Sequence, residues 1–364
     1  MGTAEQRFVA VVIMAILLKA AAQIVLERTN CRYASAHADK VPDSFAGVMD
    51  EATYRKSIAY TLAQSRLSVF ETFLDTAVLF LVLFSGILLL LFAFSQSHFS
   101  SSALAGAGFL FLTGVFMTLP GLPLAWYSQF RLEEKFGFNT SSQKTWWTDR
   151  IKGFVLSLIL GIPLLWLVLK LVDWTAAYWW LWAWGTLLAF QLLMTVLAPI
   201  LILPLFNKLT PLPEGALRQR LLNLAASARF HARNILVMDG SKRSRHSNAF
   251  FTGFGAFRKI VLFDTLMAQL AEAELEAVLA HEIGHFKKRH IPKLIVAAAL
   301  SSLLGFFLIS LMARQPWFVG AFGFAPGHIA PVLLLFGLLS GTVMFWISPL
   351  THWWSRRYEY EADA

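Results

Sequence analysis

"LAHEIGHFKKRH", residues 279–290, decides how the rest of the chain is read. Two histidines stand four residues apart with a glutamate directly after the first, and a run of positive charge closes the stretch. Immediately beyond it, residues 293–313 form an apolar run of the length needed to cross a hydrocarbon core of ~30 Å. A polar helix that suits chemistry therefore gives way to a membrane span within a few residues. The fold must serve both.

Working outward, the composition names the solvent. The 364 residues are 57% hydrophobic and 15% charged, against about 25% charged in an average soluble domain. Seven apolar windows reach span length, near 8–26, 67–94, 103–126, 153–173, 178–205, 293–313 and 327–349. The expected organisation is 1–205 with five spans, 206–292 as a polar segment, 293–349 with two more spans, and 350–364 as the start of a C-terminal segment. The first apolar run lacks a basic leader and a small-residue cleavage site, so it reads as a retained span.

The formal net charge of +9 is explained by its placement. Of the 31 Lys and Arg, 27 fall in the connections after spans one, three and five or at the C-terminus, counting Lys293 at the edge of its span. Arg7 and Arg314 lie on the opposite face, and Lys19 and Lys170 within spans. Retention of positive charge on the inside makes the basic face cytoplasmic and puts the N-terminus outside. No stripe of cations interleaved with aromatics is present, which excludes a nucleic-acid surface. The single cysteine, Cys31, excludes an intramolecular disulfide and a cysteine metal site, and reads as a free loop thiol.

Within the polar segment, "NILVMD" (234–239), "NAFFTG" (248–253) and "RKIVLFD" (258–264) are rich in β-branched and aromatic residues. Gly240, Gly253 and Gly255 punctuate them, as in a small sheet. From about 265 to 288 Leu, Ala and Glu recur at helical spacing, so the histidine motif lies on a helix.

His281 and His285, one turn apart on that helix, project from one face and suit a tetrahedral zinc. Glu282 follows on nearly the same side, where it can take a proton from a water beside the metal. Gly284 leaves room for substrate or a neighbouring helix. His290, nine residues from His281, projects to the opposite face of a continuous helix and reads as an interfacial polar residue. A catalytic zinc needs a third protein ligand. "SRRYEYEADA" (355–364) offers Glu359, Glu361 and Asp363, and two intervening spans return it to the same membrane face. Glu359 and Asp363 share a helix face while Glu361 points away. Glu359 is assigned to the metal, and Asp363 to the free N–H of a ligand histidine.

"AVLAHEIGHFKKRH" (277–290), "SRHSNAFFTG" (244–253), "RKIVLFDTL" (258–266), "EEKFGFN" (133–139) and "SRRYEYEADA" together resemble the Ste24-type CAAX prenyl proteases, integral-membrane M48 zinc metallopeptidases. The resemblance runs from about residue 130 to the end. It implies a polytopic α-helical membrane protein whose seven transmembrane helices enclose a chamber, with a small cytoplasmic zincin-like α+β metalloprotease segment. It implies one Zn2+ per chain on His281, His285 and Glu359, and substrate laid along a strand at Asn248, Ala249 and Phe250. An extended peptide adding to a sheet edge fits that placement. Arg243, Arg245 and His246 could meet a substrate carboxylate, but they read better as a solvated basic loop. Glu71, Asp75 and Lys19 either line the chamber or snorkel to the interface, and the Asn139 sequon reads as fortuitous. Members of the family continue past the E-x-x-A-D motif, so groups completing the substrate site are expected beyond Ala364.

The function expected is zinc-dependent cleavage of peptide bonds near the C-terminus of prenylated CaaX-type or other membrane-associated proteins. Glu282 is the general base, the partners are peptide or protein and the bilayer, and nucleic acid is excluded. The short N-terminus places the chain in a bacterial plasma membrane ahead of the endoplasmic reticulum. A membrane M48 quality-control protease is the first alternative. A site-2-type protease is disfavoured because the histidines border "FKKRH" instead of lying within a span. A non-catalytic zinc-stabilised receptor or transporter gives no reason for a glutamate beside a ligand histidine.

Overall fold

A computed structural model describes residues 2–45, 47, 49–228, 234–252 and 259–364. Gly253, Gly255 and Arg258 of the expected sheet lie outside the described residues. Among those described, six helical runs are long and apolar enough to cross a membrane. Their surfaces carry large apolar side chains, such as Leu26 (61% exposed) and Leu300 (61%). Lipid, not water, would solvate such a surface.

Helices α1 (Thr3–Ala36) and α2 (Glu51–Phe84) have 34 residues each. At a rise of about 1.5 Å per residue they outreach the hydrocarbon core. Asp50 caps α2, its side chain accepting from the Thr53 N–H at 2.8 Å, which satisfies one of the open donors of the first turn. Cys31 lies in the last turns of α1 and not in a loop, so that expectation is corrected. The expected span 67–94 is also interrupted: α2 ends at Phe84, Gly86 turns left-handed at φ 82°, and α3 (Ile87–His98) follows. Only glycine takes that conformation without strain. Helix α4 (Ser102–Thr118) opens a helical run that continues to Phe136.

Expected spans four and five share one run, Gln143–Phe206, of 64 residues. Straight, it would measure about 96 Å, roughly three times a bilayer core. It is broken between α5 (Gln143–Thr175) and α6 (Trp179–Leu197) at Ala176, whose φ is 45°. The remaining long helices are α10 (His290–Met312) and α11 (Ile329–Asp363). The described residues thus hold six apolar runs where hydropathy alone suggests seven spans.

Contacts divide the chain into two units. The first comprises Met1–Gly137, Leu156–Trp174 and Ile309–Ile347. Its α4 buries small residues, Ala103, Ala105, Gly106 and Ala107. A Cβ added at Gly106 would stand 2.8 Å from Leu169 Cδ1. The glycine admits that leucine, as small residues do where membrane helices pack closely.

The second unit, Phe138–Val155, Thr175–Leu308 and Ser348–Ala364, holds a four-stranded sheet ordered β1-β2-β4-β3. Strands β2 (Asn234–Met238), β3 (Ala249–Thr252) and β4 (Lys259–Phe263) coincide with the three apolar stretches read from sequence. Strand β1 (Leu209–Pro211) goes unsignalled there. Three residues ending in proline leave little pattern, and proline is tolerated at an edge. β2 and β4 run parallel, while β1 and β3 pair antiparallel at the two edges. Alternation along the strands puts Ile235, Ile260, Leu262 and Ala249 on one face. They pack there with α7 (Ala216–Ser227), α8 (Asp264–Gln269) and α9 (Glu272–Lys287). Leu236, Met238 and Val261 fill the other face. The helix expected over 265–288 is two helices, α8 and α9, parted at Leu270 and Ala271. There Glu274 reaches back to accept the Ala271 N–H at 2.7 Å, and this return bond starts α9.

Candidate metal centre

Helix α9 is oriented by one stripe. Leu275, Leu279 and Ile283, four residues apart, are buried against the sheet. That fixes the rotation of the helix and sends His281 and His285 away from the core, their side chains 29% and 21% exposed. The helix stops after Lys287. The Lys288 and Arg289 N–H groups bond back to the Gly284 and Phe286 carbonyls at 3.0 Å, satisfying the last turn. Arg289 takes φ 56°, a value rare outside glycine. α10 starts at the next residue.

The end of α11 meets α9 at close range. A Cβ on Gly284 would lie 2.5 Å from the Ala362 carbonyl oxygen and 2.9 Å from its Cα. The two backbones approach only because residue 284 has no side chain. The approach brings three donor atoms to one point. His281 Nε2 and His285 Nε2 are 3.2 Å apart, and Glu359 Oε2 stands 3.3 and 3.4 Å from them. Ligands held tetrahedrally at 2.0–2.1 Å from a zinc ion are separated by about 3.3 Å. The donor set and its spacing therefore fit zinc, and three lone pairs converging this way need a cation or protons between them. Among the described residues this is the one group of three His, Cys, Asp or Glu side chains placed to hold a metal.

The second nitrogen of each histidine is also engaged. His281 Nδ1 lies 2.6 Å from Asp363 Oδ1. His285 Nδ1 lies 3.0 Å from His290 Nδ1. Here the expectation for His290 is corrected. It is 1% exposed, stacked on Tyr358 with ring centroids 4.0 Å apart and planes 11° from parallel, and its Nε2 is 3.2 Å from Glu361 Oε2. The projection of about 100° per residue assumed an unbroken helix; the turn at Arg289 carries His290 back beside His285. Glu361 does point away from the donor triangle, as its helical phase predicts, and faces His290. Sequence reasoning missed His290 and Tyr358; the "KKR" run ahead of the next span was the available sign that α9 ends there.

Glu282 is half-buried on the same helix. Burial pushes its carboxyl above the usual carboxylate range, while the neighbouring histidines oppose the rise and Glu359 adds to it. A carboxylate so desolvated is readier to carry a proton than one in water.

Asn248, Ala249 and Phe250 lie at the start of β3, an edge of the sheet. Asn248 is exposed and its side-chain oxygen accepts the Ala249 N–H at 2.8 Å, while its carbonyl accepts from Phe263 at 3.1 Å. Ala249 is buried and Phe250 half-buried. The loop before them is not simply solvated. Arg243 pairs with both oxygens of Asp149 at 2.8 and 3.1 Å and donates to Asn207 Oδ1 at 2.9 Å and to the Phe206 carbonyl. The Arg245 N–H donates to the Phe138 carbonyl at 3.0 Å, and His246 stacks on the Phe138 ring. Asn139 bridges to Ser244. Phe138 and Asn139, from the end of one motif, thus meet Ser244, Arg245 and His246 at the start of the other, ahead of β3.

Comparison with known proteins agrees with this architecture. Residues 30–208 match the family described as CAAX prenyl protease N-terminal, five membrane helices, and residues 211–364 match peptidase family M48. CAAX prenyl protease 1 of Saccharomyces cerevisiae is 36% identical over 364 residues, covering 92% of this chain and 80% of the yeast protein. The Homo sapiens CAAX prenyl protease 1 homolog is 31% identical, covering 89% and 78%. The crystal structure of S. mikatae Ste24p superposes with a TM-score of 0.86 at 33% identity, over 97% of this chain and 87% of that one.

Proposed function

The chain belongs to the CAAX prenyl protease family, integral-membrane metalloendopeptidases of the M48 class, and from that premise we propose that its metal is zinc, held by His281, His285 and Glu359. The observation that carries this is the triangle of donor atoms with 3.2–3.4 Å sides. Bound there, zinc supplies the Lewis acidity that polarises a scissile carbonyl and acidifies water.

The chain's own groups do the rest. Glu282, one residue from a ligand and desolvated, accepts the proton of the attacking water and returns it to the departing amine. Asp363 takes the Nδ1–H of His281, so that its Nε2 is left as the lone-pair donor. The substrate backbone lies beside β3, an edge strand, with Asn248 at its head. Catalysis is assigned to 206–292 with 350–364, and membrane embedding to 1–205 and 293–349. The substrates are peptides or proteins ending in a prenylated CaaX sequence, the class named for the relatives. The distribution of Lys and Arg supports a cytoplasmic zinc face.

Purified protein in detergent tests the reading. Zinc should be found at one per chain, and a farnesylated CaaX peptide should be cut in a zinc-dependent way, faster than the same peptide without its lipid. Equal rates for both peptides would remove the prenyl group from the proposal. Full cleavage after zinc is stripped would remove the metal.

A further inference from the structure

We propose that His290 and Glu361 form a positioning relay that fixes the tautomer and ring orientation of His285 for metal binding. The inference rests on the zinc reading above and deepens it. For His285 to offer its Nε2 lone pair, its hydrogen must sit on Nδ1. The atom facing that hydrogen, at 3.0 Å, is His290 Nδ1. To accept there, His290 must carry its own hydrogen on Nε2, and it meets a carboxylate oxygen of Glu361 at 3.2 Å. A carboxylate only accepts, so it sets the direction of the whole chain. Glu361 is itself held, its Oε1 accepting from Arg357 Nε at 3.1 Å. With both ends fixed, a single arrangement of hydrogens satisfies every nitrogen of a buried imidazole.

Packing holds the relay in place as well. His290 is 1% exposed and lies flat on Tyr358, itself buried, and Lys293 Nζ stands over the tyrosine ring at 5.3 Å from its centroid. Tyr358 and Glu361 are three apart on α11, so the helix that sends Glu359 to the donor triangle and Asp363 to His281 also sends these two to His290. His290 is no fourth ligand. It touches the Nδ1 side of the His285 ring, opposite the Nε2 that joins the triangle.

Zinc affinity of the full-length protein in detergent, measured by chelator competition, is the readout, beside the melting midpoint of the metal-free protein. His290→Phe keeps the ring on Tyr358 and removes both nitrogens. It should weaken zinc binding about tenfold to a hundredfold, the range for lost outer partners of a ligand histidine, without lowering the metal-free midpoint. Glu361→Gln should weaken it about threefold to tenfold, one hydrogen bond's worth. The double variant should be no worse than His290→Phe alone, because the two act in one chain. Wild-type affinity in His290→Phe overturns the relay. If that variant does not fold, Glu361→Gln decides alone: unchanged affinity overturns, weakened affinity with an intact midpoint supports. Failure of the underlying reading looks different, since zinc binding would then be absent from the wild type or insensitive to His285→Ala.

Discussion

Two helices meet at the donor triangle, and they are held there in different ways. α9 is anchored by its own stripe, Leu275, Leu279 and Ile283, sunk in the core of the second unit. α11 is a long apolar helix whose last turns alone reach the site, with Glu359 53% and Asp363 66% exposed against 29% and 21% for the two histidines. Its hold comes from a few close contacts: the backbone of Ala362 on Gly284 and the ring of Tyr358 on His290. The donor atoms on α9 are therefore set by packing that needs no metal, and those on α11 by contacts at the site itself. Damage to α9's chemistry should leave the site built. Damage to α11's seating should take the site apart.

The largest expected effect is on the chemistry. Glu282→Gln changes no anchor of either helix, so zinc affinity should stay while kcat falls about 10²–10⁴-fold, the worth of a positioned general base. Metal lost along with activity would mean that Glu282 holds the site together, and would erase the distinction between the two helices. Next comes the seating of α11. Gly284→Ala puts a methyl group into the Ala362 backbone and should displace Glu359 and Asp363 together. A shift of about 1 Å costs roughly a hundredfold in kcat/KM, with weaker zinc binding and the sheet unfolded no more easily. Leu279→Ala is the converse: it should lower stability by about 2–5 kcal/mol, yet the folded fraction should bind zinc like the wild type. A smaller change, about tenfold in zinc affinity, is expected for Asp363→Asn, which leaves α11 seated but no longer fixes the hydrogen of His281.

The same contrast explains what could be read from the sequence. α9 obeys its own periodicity, so the placement of the histidine pair and Glu282 on one helix was legible from local pattern, as were strands β2, β3 and β4. Glu359 and Asp363 were legible because four-residue spacing survives inside the unbroken end of α11. His290 was not, because its position depends on a two-residue turn at which Arg289 goes left-handed, and no periodicity crosses such a break. Arg243 was misread for a related reason: its partners Asp149, Asn207 and Phe206 are remote in sequence. Gly86 interrupts an apolar run that hydropathy treats as uniform, since hydropathy reads composition and is blind to φ, whereas the break at Ala176 falls in the gap left between the windows 153–173 and 178–205.

The weakest effect belongs to the head of β3, which shares its core with α9's stripe but supplies none of the three donor atoms. The Asn248 side-chain oxygen occupies the N–H of Ala249 at 2.8 Å, and its carbonyl is already bonded to β4 through Phe263. The backbone there is held by the sheet whatever side chain stands at 248. Asn248→Ala therefore frees one edge N–H and removes one amide without moving the strand. If substrate is paired along this edge, the variant loses about one hydrogen bond, or roughly threefold to tenfold in KM, with kcat and zinc affinity unchanged. A fall in kcat with KM unaltered would place Asn248 at the reacting carbonyl instead of beside the substrate's backbone, and would make the sheet edge part of the chemistry that the comparison assigns to α9.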